Sequence, residues 1–234
     1  MTSIIGIKCE KGLEGVVVVS DFSGTQTRLI NDGIDTAHYE RRRTASKKLY
    51  VDPKREVVIG TSGQTNLHGY SNFLSKILKD SSLIRKAIRR TVKTHHLKEL
   101  KKLNMQIARS NQDSNPPLIR ILIATRYNND SRLFQSDENG YLLEVPYVLL
   151  GSGAGLMYEY MSRNHKVIPS ETSITEGIDL GFRCLHEAFR DPFTGGRDLV
   201  VVTKTRIDEL GKEIRGAINY ARRIAIQEAI NRYK

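Results

Sequence analysis

SIIGIKC, residues 3–9, and GVVVVSDF, residues 15–22, decide how this chain folds. Each is a run rich in Ile and Val, and only EKGLEG separates them. Two strands joined by so short a glycine-containing connection should pair antiparallel. Val16, Val17, Val18 and Val19 show no polar–apolar alternation, which is the pattern of a strand buried on both faces. Cys9 falls on the first of these strands and reads as core.

Working outward, residues 23–46 are polar and turn-rich, with NDG and ERRR among them. The segment is long for a plain connection, so it is expected to be functional or to have structure of its own. KKLYVDPKREVVIGTSG then reads as a strand over 47–51, a turn at Asp52-Pro53 and a strand over 56–61, a second hairpin. Helical spacing follows from Gln64 to Asp80, through Leu67, Tyr70, Phe73, Leu74 and Ile77. A further helical stretch runs from Ser82 to about Arg109 and stops at NQDSNPP. Strands return with IRILIATRY (119–127), a short RLFQSD segment and YLLEVPYVLLGSG.

One helix is predicted to begin near Ser152 and to end before NHKVIP. Another begins at Ser173, where Ser173 and Glu176 match a capping box. Its apolar stripe contains Ile174, Ile178, Leu185, Ala188 and Phe189, with Gly181 on it to admit a close backbone. LVVVTK (199–204) reads as the last strand, and Ile207 to Tyr233 as a closing helix. Strands cluster and helices come in pairs, so the expected class is α+β, with sheets packed together under helices. No internal repeat or linker divides residues 1–234, which read as one domain.

Composition narrows the function. No apolar run approaches the ~20 residues of a membrane-spanning helix. The first residues lack the charged and apolar regions of a secretion signal. Two cysteines among 234 residues do not make a disulfide framework, so a cytoplasmic location is expected. The net charge of +11 is concentrated: eleven Lys and Arg lie between Lys76 and Arg109 against Asp80 and Glu99, a local +9. No aromatic residue falls in that interval to stack a base, so nucleic acid is not the expected partner. His95-His96 has no ligand-spaced companions, so no metal is expected, and GSGAG is not a dinucleotide fingerprint. No cofactor is implied.

Thr2 carries the chemical interest. Once Met1 is removed, one residue would offer a hydroxyl nucleophile and an α-amine that titrates near neutral pH. Alone this means little. TSIIGIKC, VVVVSDFSG, KKLYVD, IGTSG, LLGSGAG and RDPFTGGRDLVVVT, in this order, resemble the β-type subunits of the proteasome, which are N-terminal nucleophile hydrolases. The resemblance runs through nearly the whole chain. It implies a four-layer αββα sandwich and a threonine-type peptidase acting on polypeptides. It also implies a ring, homo-oligomeric or with other ring subunits, fed by further rings or an ATPase.

Residue by residue, the resemblance puts the nucleophile at Thr2. It assigns Asp21 as the acid ending the second strand and Lys48 as its buried partner. Ser152, Asp191 and Thr194 fill the polar positions around the amine, with Thr194 standing where the family has Ser. The oxyanion donor matches the backbone of Gly63, with Gly60 as second choice, and Thr61 falls where the family lines its first specificity pocket. Each position also has a plain reading. Asp21 suits a turn, Lys47 competes with Lys48, GSG suits a helix start, and Gly60, Gly63 and TGG suit ordinary turns. The chain departs from the family in a longer first connection, a longer Asp21–Lys48 segment, an extended region around 90–115 and the lack of a propeptide before Thr2. A catalytically silent ring subunit and a narrow amidase or transpeptidase with the same Thr chemistry are the alternatives.

Overall fold

The computed structural model describes residues 3–31, 37–45, 48–52, 56–62, 120–127, 130–136, 142–164, 167–190, 195–211 and 214–232. The first sheet is built on β1 (Ser3–Cys9) and β2 (Gly15–Ser20), paired antiparallel from Ile4 opposite Ser20 to Cys9 opposite Gly15. β10 (Tyr147–Gly151), β11 (Asp198–Thr203) and β12 (Ile207–Gly211) complete it, in the order β10-β1-β2-β11-β12. The second sheet contains β5 (Leu49–Asp52), β6 (Val57–Ser62), β7 (Arg120–Tyr127), β8 (Asp130–Ser136) and β9 (Leu142–Glu144), in sequential order. The expected hairpins at β1–β2 and β5–β6 are both present.

Alternation along β2 explains the layering. Val16 and Val18 face the second sheet, in a core with Ile4, Leu49, Val58 and Leu122. Val17 and Val19 face the helices, with Ile5, Ile7, Met157 and Leu185. All six residues of β2 are buried, so the unbroken valine run fills two cores at once. Burying each such side chain contributes roughly 1.5–3 kcal/mol.

The helical layer on the first sheet comprises α1 (Ala154–Asn164), α2 (Ile174–Ala188) and α3 (Ile214–Arg232). Ser173 caps α2 as expected: its side chain accepts from the Glu176 amide at 3.2 Å, and Glu176 accepts from the Ser173 amide at 2.7 Å. A Cβ on Gly181 would lie 2.7 Å from Cγ2 of Val19, so the glycine lets α2 settle onto β2. This is the α+β sandwich expected, helices over two stacked antiparallel sheets. The helices expected between Gln64 and Arg109, which would cover the second sheet, lie outside the described residues.

Within the segment 23–46 the described residues have structure of their own, one of the two readings offered: β3 (Ser23–Asn31) and β4 (Ala37–Ala45) form a separate two-stranded antiparallel ribbon. One expectation is revised: the closing helix does not start at Ile207. Thr203 makes a tight turn, its amide donating to the Arg206 carbonyl at 2.8 Å and its hydroxyl accepting from the Arg206 amide at 3.2 Å. The chain therefore doubles back as β12 along β11, and α3 begins only at Ile214. Strand pairing that satisfies the edge of β11 overrides the helical spacing of Ile207 and Leu210.

The tight α2–β2 contact predicts opposite effects of two glycine substitutions. Gly181→Val should destabilise by ~1–3 kcal/mol in urea unfolding, because the site is already filled. Gly155→Ala, on α1 with nothing within 4 Å of a new Cβ, should be neutral or stabilise by up to ~1 kcal/mol.

Candidate active site

The site is organised around Ser3, which sequence reasoning passed over. Asp21 leaves β2 fully buried, and its Oδ1 accepts the Ser3 amide at 2.7 Å. The Asp21 amide donates back to the Ser3 carbonyl at 2.8 Å. Both polar backbone groups of Ser3 are thus held by one residue, and the bond to the carboxylate is of the stronger, charge-assisted kind. Asp21 is therefore more than a turn residue. It fixes the direction in which the chain enters β1.

Three other segments meet this joint. In the β1–β10 register Ser3 stands opposite Gly151, and the chain turns at once through Ser152 and Gly153 into α1. A Cβ at Gly153 would lie 2.4 Å from the Ser3 hydroxyl oxygen and 2.7 Å from Cβ of Ala188. Only glycine lets the turn press against both the start of β1 and the end of α2. Ser152 sits exposed on that turn. GSG is indeed a helix entrance, and it is also part of the site.

The second segment arrives at Phe22. The Phe22 amide donates to the Gly195 carbonyl at 2.9 Å. Gly196 has φ of +72°, and a Cβ there would lie 2.9 Å from Cβ of Phe22. Gly196 of RDPFTGG is needed for this approach, both by its left-handed backbone and by the space a Cβ would fill. Arg197 follows, with its guanidinium 5.7 Å from the ring centroids of both Phe182 and Phe189 on and after α2. The sequence signal for that clamp was only the seven-residue spacing of two aromatics on one helix.

Lys48 stands directly before β5 and is half-buried. Burial pushes its ammonium below the ordinary lysine value, and the Asp21 carboxylate pulls in the opposite direction. Desolvation is the larger effect, so a lysine in this position is less firmly charged than one at the surface. Its neighbour Leu49 pairs with Gly60 of β6, and a Cβ on Gly60 would lie 3.2 Å from both Leu49 and Ile4. Gly60 therefore brings the β6 backbone against the residue after Ser3 and the residue after Lys48. Thr61 is buried in β6 on the opposite face.

The structure thus brings together Asp21, Lys48, Ser152 and the glycines following Thr194 around the start of β1. Thr2, Lys47, Gly63, Asp191 and Thr194 lie outside the described residues. No group of three or more His, Cys, Asp or Glu suited to a metal ion occurs among the described residues. No described helix is long and apolar enough to cross a membrane. Cys9 and Cys184 are both buried, and burial pushes the Cys184 thiol up to about 12, which removes it as a nucleophile at neutral pH.

Comparison with known proteins identifies the family. A family model described as proteasome subunit matches residues 49–203. A proteasome subunit beta of Methanococcoides burtonii is 25% identical over 215 residues, covering 91% of each chain. One of Methanosarcina mazei is 23% identical over the same length, again with 91% of each chain covered. Proteasome subunit beta 2 of Pyrococcus furiosus is 33% identical over 102 residues, 43% of this chain and 47% of that one. The chain belongs to the proteasome subunit family, as a divergent β-type member.

Proposed function

We propose that this chain is a threonine-type peptidase subunit of a proteasome-like ring, using Thr2 as nucleophile after removal of Met1. The observation that carries the reading is the double hydrogen bond between Ser3 and buried Asp21, with Lys48 in its field. Thr2 is one peptide unit upstream of that clamp, a Cα spacing of ~3.8 Å. A residue one peptide bond from such a fixed point is suited to act as a positioned nucleophile.

The reaction assigned to it is acyl transfer. The Thr2 hydroxyl attacks the scissile carbonyl carbon while its proton passes to the free α-amine, directly or through water. The tetrahedral oxyanion is met by a backbone N–H, a contact worth roughly 2.7–4 kcal/mol in related chemistry. We assign the donor to Gly63 over Gly60, because Gly60 stands inside β6 paired with Leu49 on one side and Leu122 on the other, which commits its amide to the sheet. Collapse breaks the C–N bond and returns the proton to the leaving amine. Water then attacks the ester, with the α-amine taking its proton, and the acid product departs.

Lys48 near the amine would disfavour the ammonium form and keep the base free. It would also stabilise negative charge developing on the Thr2 oxygen. Asp21 compensates the charge that Lys48 brings into a half-buried place. We assign Ser152, Asp191 and Thr194 to the polar shell that orients the amine, and Thr61 to the first specificity pocket. Polypeptides are the proposed substrate. Ring assembly, with copies of this chain or with other subunits and an ATPase, and a cytoplasmic setting complete the reading.

The intact mass of the purified protein should be lower by one methionine than the encoded chain. Retention of Met1 would block the base and favour a silent ring-building subunit. Thr2→Ala should lower hydrolysis of a fluorogenic peptide panel at least ~1000-fold without changing the melting temperature, and Thr2→Ser should keep measurable activity. Turnover by Thr2→Ala would remove the nucleophile from the scheme.

The Lys48–Asp21 relation has its own readout. Lys48 should titrate below an exposed lysine in side-chain NMR. Because the Asp21 charge raises the Lys48 value, Asp21→Asn should move that midpoint further down while its amide oxygen still accepts from Ser3. An upward or absent shift would show that the two charges do not communicate.

A further inference from the structure

At the other end of the same strands lies a second feature that the peptidase reading does not use. β11 joins the two places: Asp198 stands opposite Ser20 beside the candidate site, and Thr203 stands opposite Gly15. They are the two ends of the six-residue strand, roughly 17 Å apart at ~3.3 Å per residue. There, between the β1–β2 connection, the Thr203–Arg206 turn and α3, is a hollow of about 550 Å³. Leu13, Ile224 and Ile226 supply its apolar wall, and Arg206 and Arg223 its charge.

Both guanidinium groups are held in place around one buried tyrosine. Tyr220 donates to Oδ2 of Asp208 at 3.0 Å, and Nε of Arg206 donates to the same oxygen at 2.8 Å. The Arg223 guanidinium lies 5.9 Å from the Tyr220 ring centroid. An arginine has five N–H donors, and Asp208 engages the Arg206 Nε, so that bond does not use the terminal N–H groups of the outer fork. Lys204, the neighbouring cation, is instead tied to Glu14 at 2.7 Å. Ile226 is 62% exposed, although it lines the hollow. An exposed isoleucine beside two pre-positioned arginines and a tyrosine has the composition of a recognition surface, where Arg and Tyr are enriched. Fixing the guanidinium groups beforehand reduces the ordering that binding would otherwise require.

We propose that this hollow is a docking site for a short acidic peptide segment bearing apolar side chains. Carboxylates of the segment engage Arg223 and the outer fork of Arg206, and an apolar side chain lies against Leu13, Ile224 and Ile226. Charge selects this occupant: Arg206 and Arg223 line the hollow and none of the lining residues is acidic, while Asp208 engages Arg206 from outside that lining. Arginine and carboxylate match in planar, two-point geometry, which gives the site direction as well as affinity. The size of the hollow lies within the range of pockets that enclose small ligands, and so it admits a few side chains of such a segment.

The test uses the full chain and a fluorescein-labelled peptide, acetyl-Glu-Leu-Ile-Glu-Leu-amide, followed by fluorescence anisotropy. Saturable binding of one peptide per chain is expected. Arg223→Glu and Ile226→Glu should each weaken it at least ~10-fold. Arg183→Glu, on the exposed face of α2, should leave it unchanged. The Lys-for-Glu version of the peptide should not compete. Both site variants alter exposed positions, and unchanged thermal melts would show that they fold. Binding needs nothing from Thr2, so it should persist in Thr2→Ala and stands or falls separately from the peptidase reading. No saturable binding, equal binding of the basic peptide, or indifference to both site variants would overturn the proposal.

Discussion

The hydrogen-bond pair between Ser3 and Asp21 is the constraint on which the rest of the candidate site depends. A carboxylate with no exposed surface would be costly without partners, and here it accepts a backbone amide at 2.7 Å while its own amide closes the pair at 2.8 Å. The consequence is mechanical. The first strand cannot slide relative to the second at this end, because the pair lies just beyond the last ladder position, Ile4 opposite Ser20. Every other segment of the site is referred to that fixed point. Gly153 presses on Ser3, Gly196 presses on Phe22 while the Gly195 carbonyl accepts its amide, and Gly60 presses on Ile4.

That arrangement explains why the site is rich in glycine and poor in large side chains. Four segments from different parts of the chain converge on one strand end, and backbone must approach backbone for them to fit. The charge needed for chemistry then comes from few residues. Lys48 is half-buried and destabilised as a cation by desolvation, with the Asp21 carboxylate as its counterweight. A balance of this kind can be tuned without moving any strand. A perturbed lysine of this kind is more typical of functional sites than of residues that merely pack the fold.

The fold was legible where burial dominates. The valine run of β2 and the capping box of α2 are unambiguous because each has one physical solution. Residues 23–45 were harder, since SGTQTRLIN and AHYERRRTA carry no apolar stripe of period two and, among the described residues, pair only with one another. Ile207–Gly211 was misread because Leu210 and Ile207 fit a helical face, and only the Thr203 turn and the open edge of β11 make them a strand. At the site, glycines and charged residues stood out in order along the chain. Ser3 did not, because a serine within an apolar strand has no signal until its amide is seen to meet Asp21. The Arg197 clamp was invisible for a similar reason, since aromatic residues on a helix first suggest core.

The central claim is that the chain's own start performs the chemistry. Its most direct test is covalent capture: the protein is treated with a peptide β-lactone, digested, and the acylated residue located by tandem mass spectrometry. A single acyl adduct on the hydroxyl of Thr2, found as the N-terminal residue, is the predicted result. An adduct placed on any other residue, or hydrolysis of peptides by protein that leaves Thr2 unlabelled, would contradict it.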